Sequence, residues 1–132
     1  MGGDGRDAEF IVQSILDELR AYPDAVKGHI GFNIRLIQNG EMPAEAKQMK
    51  GFDPPVIELA EQGEGNRTYR CCVTVRLKHR VYILHVFQKK STQGDETPKK
   101  ELETIRRRLR RAVERDAEYE RAEQQKLSRR GA

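Results

Sequence analysis

Apolar positions recur at helical spacing in the first third of the chain. Over 7–21, Phe10, Val12, Ile15, Leu16 and Leu19 predict a helix, and Tyr22-Pro23 closes it because proline cannot continue the hydrogen-bonded turn. Pro23-Asp24 opens a second segment with Val26, Ile30, Ile34 and Ile37 on one face. It closes at Asn39-Gly40, where glycine suits a left-handed cap. These segments predict two helices that form an antiparallel pair.

Residues 41–55 hold no sustained period but contain Pro43, Gly51, Pro54 and Pro55, so they form a connection, with 49–52 an ordered loop or short strand. From Val56 the period becomes two. Strands are predicted over 56–59, 68–76 and 80–88, rich in Val, Ile, Tyr and Thr, joined as a meander by 62–66 and 77–80. A polar loop over 91–96 leads to Thr97, a helix cap, and to Pro98, placed where a missing N–H costs nothing. Leu102, Ile105, Leu109, Ala112 and Val113 then form a stripe that stops, and 114–132 is charged on all sides. The expected fold class is α+β: two N-terminal helices packed on a small twisted antiparallel sheet, with a C-terminal helix. One domain is expected across 1–132, compact over about 7–113, with a tail that frays or folds on a partner.

Composition narrows this picture. An apolar content of 36% without Trp supports one modest core. The net charge of +4 is unevenly spread: 1–65 carry −6, 66–98 carry +5 and 99–132 carry +5. A polyanion would therefore meet the second half, where Lys and Arg can displace counterions from phosphates. The first residues lack a basic stretch followed by an apolar run, and 18 consecutive apolar residues occur nowhere, which points to a cytoplasmic protein without a membrane partner. Cys71 and Cys72 are adjacent and point to opposite faces of a strand, so they do not suit a mutual disulfide. With His at 29, 79 and 85 and no CxxC, no metal and no cofactor are expected.

If the last hairpin turns at Lys78-His79, Arg70 falls opposite Phe87, Cys72 opposite His85, Thr74 opposite Ile83 and Arg76 opposite Val81. Arg70, Cys72, Thr74 and Arg76 then share a face with Ile83, His85 and Phe87. The other face, with Tyr69, Cys71, Val73, Val75, Tyr82, Leu84 and Val86, is the core. The first face places a guanidinium diagonally from an imidazole, with Lys89 and Lys90 at the strand end. Cleavage of a phosphodiester by the ribose 2′-OH needs a base, cations for the phosphorane and a proton for the leaving oxygen. His85 can exchange the proton, Arg70 can hold a phosphate, Lys89 and Lys90 add charge, and Phe87 can stack on a base. Each also has a plainer reading: a structural strand histidine, a solvated Lys-Lys end, and an arginine paired with a carboxylate such as Glu58. The arginines at 106–108, 110 and 111 fit the solvated face of an amphipathic helix as well as an RNA-backbone patch.

The string Val81-Tyr82-Ile83-Leu84-His85-Val86-Phe87-Gln88-Lys89-Lys90-Ser91, followed by Thr97-Pro98-Lys99, Glu101 and Ile105, resembles the signature of the HigB-like, phage-related branch of the RelE/ParE toxin superfamily. Met49-Lys50-Gly51-Phe52, Val56-Ile57-Glu58-Leu59 and Thr68-Tyr69-Arg70 resemble upstream elements of the same family, so the likeness spans about 49–109. The segment before Asp7, the tail after Val113, and Val86 in place of a small residue depart from the pattern. The resemblance implies a RelE-like fold and a metal-free, ribosome-dependent mRNA endoribonuclease acting on mRNA in the ribosomal A site. It also implies neutralisation by a helix-turn-helix antitoxin. By position it assigns catalysis to Arg70, His85, Lys89 and Lys90, and RNA contact to Lys50 and Gln88; Arg76 and Phe87 join the RNA contacts from their place on the sheet. Two other readings compete: a non-catalytic member of the fold, and a basic nucleic-acid-binding accessory protein of a mobile element.

Overall fold

The strands with period two assemble as expected and gain two further members. In the computed structural model, which describes residues 5–90 and 96–131, the chain runs β1 (Asp7–Phe10), α1 (Gln13–Arg20), α2 (Asp24–Gln38), β2 (Lys47–Met49), β3 (Val56–Gln62), β4 (Arg67–Thr74), β5 (Arg80–Lys90) and α3 (Lys99–Gly131). The architecture is α+β. One sheet has the order β1-β5-β4-β3-β2, antiparallel except for β1, which lies parallel to β5. The polar loop expected over 91–96 lies mostly outside the described residues, as do the first four residues and Ala132.

The first expected helix is divided. Residues 7–10 form an edge strand, with Asp7 opposite Arg80 and Phe10 opposite Ile83. The helix starts only at Gln13, burying Ile15 and Leu19. A partner strand supplied far downstream overrides the local helical pattern. α2 follows its prediction closely, and Gly40 takes φ +87° just beyond it. The helices pack on the sheet as expected, α1 on β5 and α2 on β3.

Both faces of the sheet are covered, so each carries a core where the sequence pattern placed one. On one side, Ile15, Leu19, Val26, Ile30 and Ile34 meet Cys71, Val73, Val81, Ile83 and Val86. On the other, Ile105, Leu109 and Ala112 of α3 meet Val56, Cys72, Tyr82, Leu84 and Phe87. The register explains the exchange. Arg70 faces Phe87 and Cys72 faces His85 as expected, but Val73 then faces Ile83 and Thr74 faces Tyr82. Leu84 is an extra residue, a β-bulge. Ile83 therefore joins the α1/α2 side and Tyr82 and Leu84 the α3 side, and Thr74 does not pair with Ile83.

α3 continues past Val113, where its apolar stripe was expected to end, because polar contacts replace apolar ones. The buried Asp116 carboxylate accepts the backbone N–H groups of Lys78 (3.0 Å) and His79 (2.9 Å) and the Tyr82 hydroxyl (2.7 Å). It thereby closes the β4–β5 turn. Arg115 donates to Glu9 of β1 at 2.8 Å, Tyr119 also donates to Glu9, and Arg80 lies over the Tyr119 ring. Among the described residues no helix is long and apolar enough to cross a membrane.

Asp116→Ala strands two N–H donors and a buried phenol, so it is expected to lower unfolding free energy by about 3 kcal/mol, read from urea denaturation. Hydrogen bonds from Gln124, Lys78 and His79 hold the Glu120 carboxyl down at about 2 against an ordinary 4.5. A depressed carboxyl stabilises the fold fully above its unfolded pKa and loses that contribution as pH falls through the folded value. Glu120→Gln should therefore flatten part of the fall in urea midpoint between pH 4.5 and 2, relative to wild type.

Candidate active site

The bulge sets the geometry around His85. One extra residue in β5 turns the side chains of Leu84 and His85 toward the same side of the sheet, under α3. His85 is 14% exposed there, and its ring stacks on Phe87 with centroids 5.3 Å apart. Its Nε2 lies 2.8 Å from Oε1 of Glu101, and its Nδ1 lies 3.0 Å from Nη1 of Arg108. The same Arg108 nitrogen donates to the Leu84 carbonyl at 3.1 Å, satisfying a backbone acceptor at the bulge. Burial, with Arg107 adjacent, pushes the Arg108 pKa down.

Guanidinium nitrogens only donate and a carboxylate only accepts. Nδ1 of His85 is therefore the acceptor of this pair, and Nε2 carries the proton given to Glu101. The neighbouring Arg70 is committed elsewhere: its Nη1 is 2.7 Å from Oε1 of Glu58, whose side chain is only 7% exposed. Nε of Arg70 is buried and has no hydrogen-bond partner among the described residues.

The other sequence-derived candidates divide between the two faces. Lys89 lies on the His85 side, is 3% exposed, and donates to the carbonyl of Glu96. Lys90 and Gln88 emerge on the α1/α2 side; Gln88 accepts from Arg67 at 3.2 Å, and all three line a cleft of about 290 Å³ with Lys89. Phe87 is 4% exposed, so the base-stacking surface expected of it is taken up by His85 and the core. Lys50 is exposed in the β2–β3 turn, next to Met49, whose Sδ contacts Cys72. Arg76 is exposed past the end of β4, beyond the bulge, and the expected pairing with Val81 does not form. Arg70, His85, Phe87 and Lys89 are thus brought to one face, whereas Gln88, Lys90 and Arg76 are not.

Glu101 and Arg108 were not singled out from the sequence as site residues. A signal was present: positions 101, 105 and 108 follow one helical face, so the residue types flanking buried Ile105 look at the sheet. The arginine cluster is correspondingly heterogeneous. Arg106 lies 4.8 Å above the Phe52 ring and donates to Gly51, Arg108 enters the site, and Arg111 pairs with Glu114 and Glu118. Among the described residues, His79, Glu120 and Glu123 are the group whose possible metal-ligand atoms lie close together, within 4.8 Å. Both ring nitrogens already face these carboxylates, and the Lys78 ammonium sits 2.9 Å from Glu120.

A family model described as "Phage derived protein Gp49-like (DUF891)" matches residues 17–110. That span runs from α1 to the middle of α3 and includes Arg70, His85, Glu101 and Arg108. Neither the curated proteins nor the solved structures yield a match.

Burial pushes the Cys71 thiol up to about 12 and the Cys72 thiol well above its ordinary value. Native protein at pH 8 is expected to resist iodoacetamide at both cysteines and to take up two equivalents in urea, counted by intact mass.

Proposed function

Because this chain belongs to the family of Gp49-like phage-derived proteins, we propose that it is the toxin of a type II toxin–antitoxin pair. In this reading it is an endoribonuclease that cuts mRNA in the ribosomal A site, needs no metal, and is held in check by a cognate helix-turn-helix antitoxin. The observation that carries the reading is His85: a shielded imidazole with an acceptor nitrogen, beside a guanidinium, in the half of the chain that carries net positive charge. An imidazole so placed is equipped to take the ribose 2′-OH proton, and Arg and Lys groups supply the positive charge that the phosphorane requires. Lys50, exposed in the β2–β3 turn, adds positive charge for a phosphate backbone. The helical N-terminal part then serves as scaffold, in keeping with the negative charge of 1–65.

A second reading has its own support. Arg70 is salt-bridged to Glu58, and both nitrogens of His85 are occupied, as in a site that is only structural. The chain would then be a basic module that binds nucleic acid without cutting it, with affinity falling steeply as salt rises.

Inducible expression separates the two. Wild type is expected to arrest growth and to produce new RNA 5′ ends within translated coding regions. His85→Ala, with folding verified by circular dichroism, should lose the cuts by on the order of 10²-fold or more. Arrest without cuts, or equal cutting by His85→Ala, contradicts the nuclease reading.

A further inference from the structure

Two guanidiniums lie on the His85 face, Arg108 in contact with the ring and Arg70 on the neighbouring strand, and they differ in what they hold. Arg70 is paired with a buried carboxylate, Glu58, so its charge is already matched within the fold. Arg108 hydrogen-bonds only neutral acceptors, the Leu84 carbonyl and His85 Nδ1, and no carboxylate contacts it among the described residues. The Glu18 and Glu101 carboxylates act on it only through space, without a salt bridge, and a partly buried guanidinium without a salt-bridged carboxylate has more to gain from an incoming phosphate than one already paired. Glu101 meanwhile holds the opposite ring nitrogen at 2.8 Å. A carboxylate in that place accepts the Nε2–H and so fixes that tautomer.

We propose that Arg108, not Arg70, is the guanidinium that takes the substrate's phosphate, and that Glu101 is the positioning residue that leaves His85 Nδ1 as the base. This rests on the nuclease reading for its substrate, a phosphodiester with a free 2′-OH. In the resting protein Arg108 covers the Nδ1 lone pair. When a phosphate draws the guanidinium to itself, that lone pair is released beside the group to be deprotonated. The 2′-OH then gives its proton to Nδ1, O2′ bonds to phosphorus, the P–O5′ bond breaks, and the 5′ oxygen takes a proton from water. The products are a 2′,3′-cyclic phosphate and a free 5′-OH, and the proton on Nδ1 returns to water.

The test combines ring ¹⁵N spectra of His85 in the full-length protein with RNA cleavage in cells. Wild type should show Nε2 protonated and Nδ1 as an acceptor, and Glu101→Gln should mix the tautomers while the amide spectrum stays folded. Inorganic phosphate should shift the Nδ1 signal in wild type and Arg70→Gln, and leave it unchanged in Arg108→Gln. Cleavage by Arg108→Gln should fall on the order of 10²-fold or more. A protonated Nδ1 in wild type, a phosphate response that survives in Arg108→Gln, or undiminished cleavage by that variant overturns the assignment while leaving the nuclease reading standing. The expected spectra without any RNA cleavage by wild type would retain the Arg108 anion site and remove the nuclease reading.

Discussion

Leu84 is one residue more than the ladder between β4 and β5 can pair. Below it, Cys72 faces His85; above it, Val73 faces Ile83. The insertion reverses which side chains of β5 look to which side, so Tyr82, Leu84, His85 and Phe87 all meet α3 while Val81, Ile83 and Val86 meet the N-terminal helices. It also leaves a carbonyl for Arg108 to satisfy. A single guanidinium thereby ties the irregular point of the sheet to the first third of the long helix and to the imidazole beside it. Without the bulge, His85 and Tyr82 could not both face α3, since three positions apart on a regular strand point to opposite sides.

α3 is held along its length by different physics. Its first half buries Ile105, Leu109 and Ala112 against the sheet, an amphipathic arrangement in which area removed from water supplies the driving force. Its second half offers little apolar surface and relies on directional contacts instead: Asp116 on the turn and Tyr82, and Arg115 and Tyr119 on Glu9. These contacts also fasten β1, whose parallel pairing to β5 leaves it at the sheet edge. His85 thus sits under a helix that is secured to the strand carrying it.

Much of this was legible in the residues. Period two marked β3, β4 and β5, the even turn gave the correct register up to Cys72, and Gly40 closed α2 as expected. What failed to show were features decided by distant partners. Residues 7–10 carry a pattern that fits a helix until β5 is available to pair with them. A bulge leaves no local mark, because Leu84 is as ordinary a strand residue as its neighbours. Arg70 was readable both as a phosphate ligand and as the partner of Glu58, and only the fold, by placing Glu58 opposite Cys72 on the next strand, brings the second pairing about. Glu101 and Arg108 were visible as a helical face, but their target was not, since it depends on the inverted side of β5.

The position of the bulge is the claim on which the rest stands, and interstrand amide and Hα NOEs across β4 and β5 measure it directly. Contacts pairing Cys72 with His85 and Val73 with Ile83, with Leu84 outside the ladder, are the expected result. An unbroken ladder in which Val73 pairs with Leu84 and Thr74 with Ile83 would move Leu84 to the N-terminal helices and Ile83 to the α3 side, undoing the arrangement that seats Arg108 between Leu84 and His85.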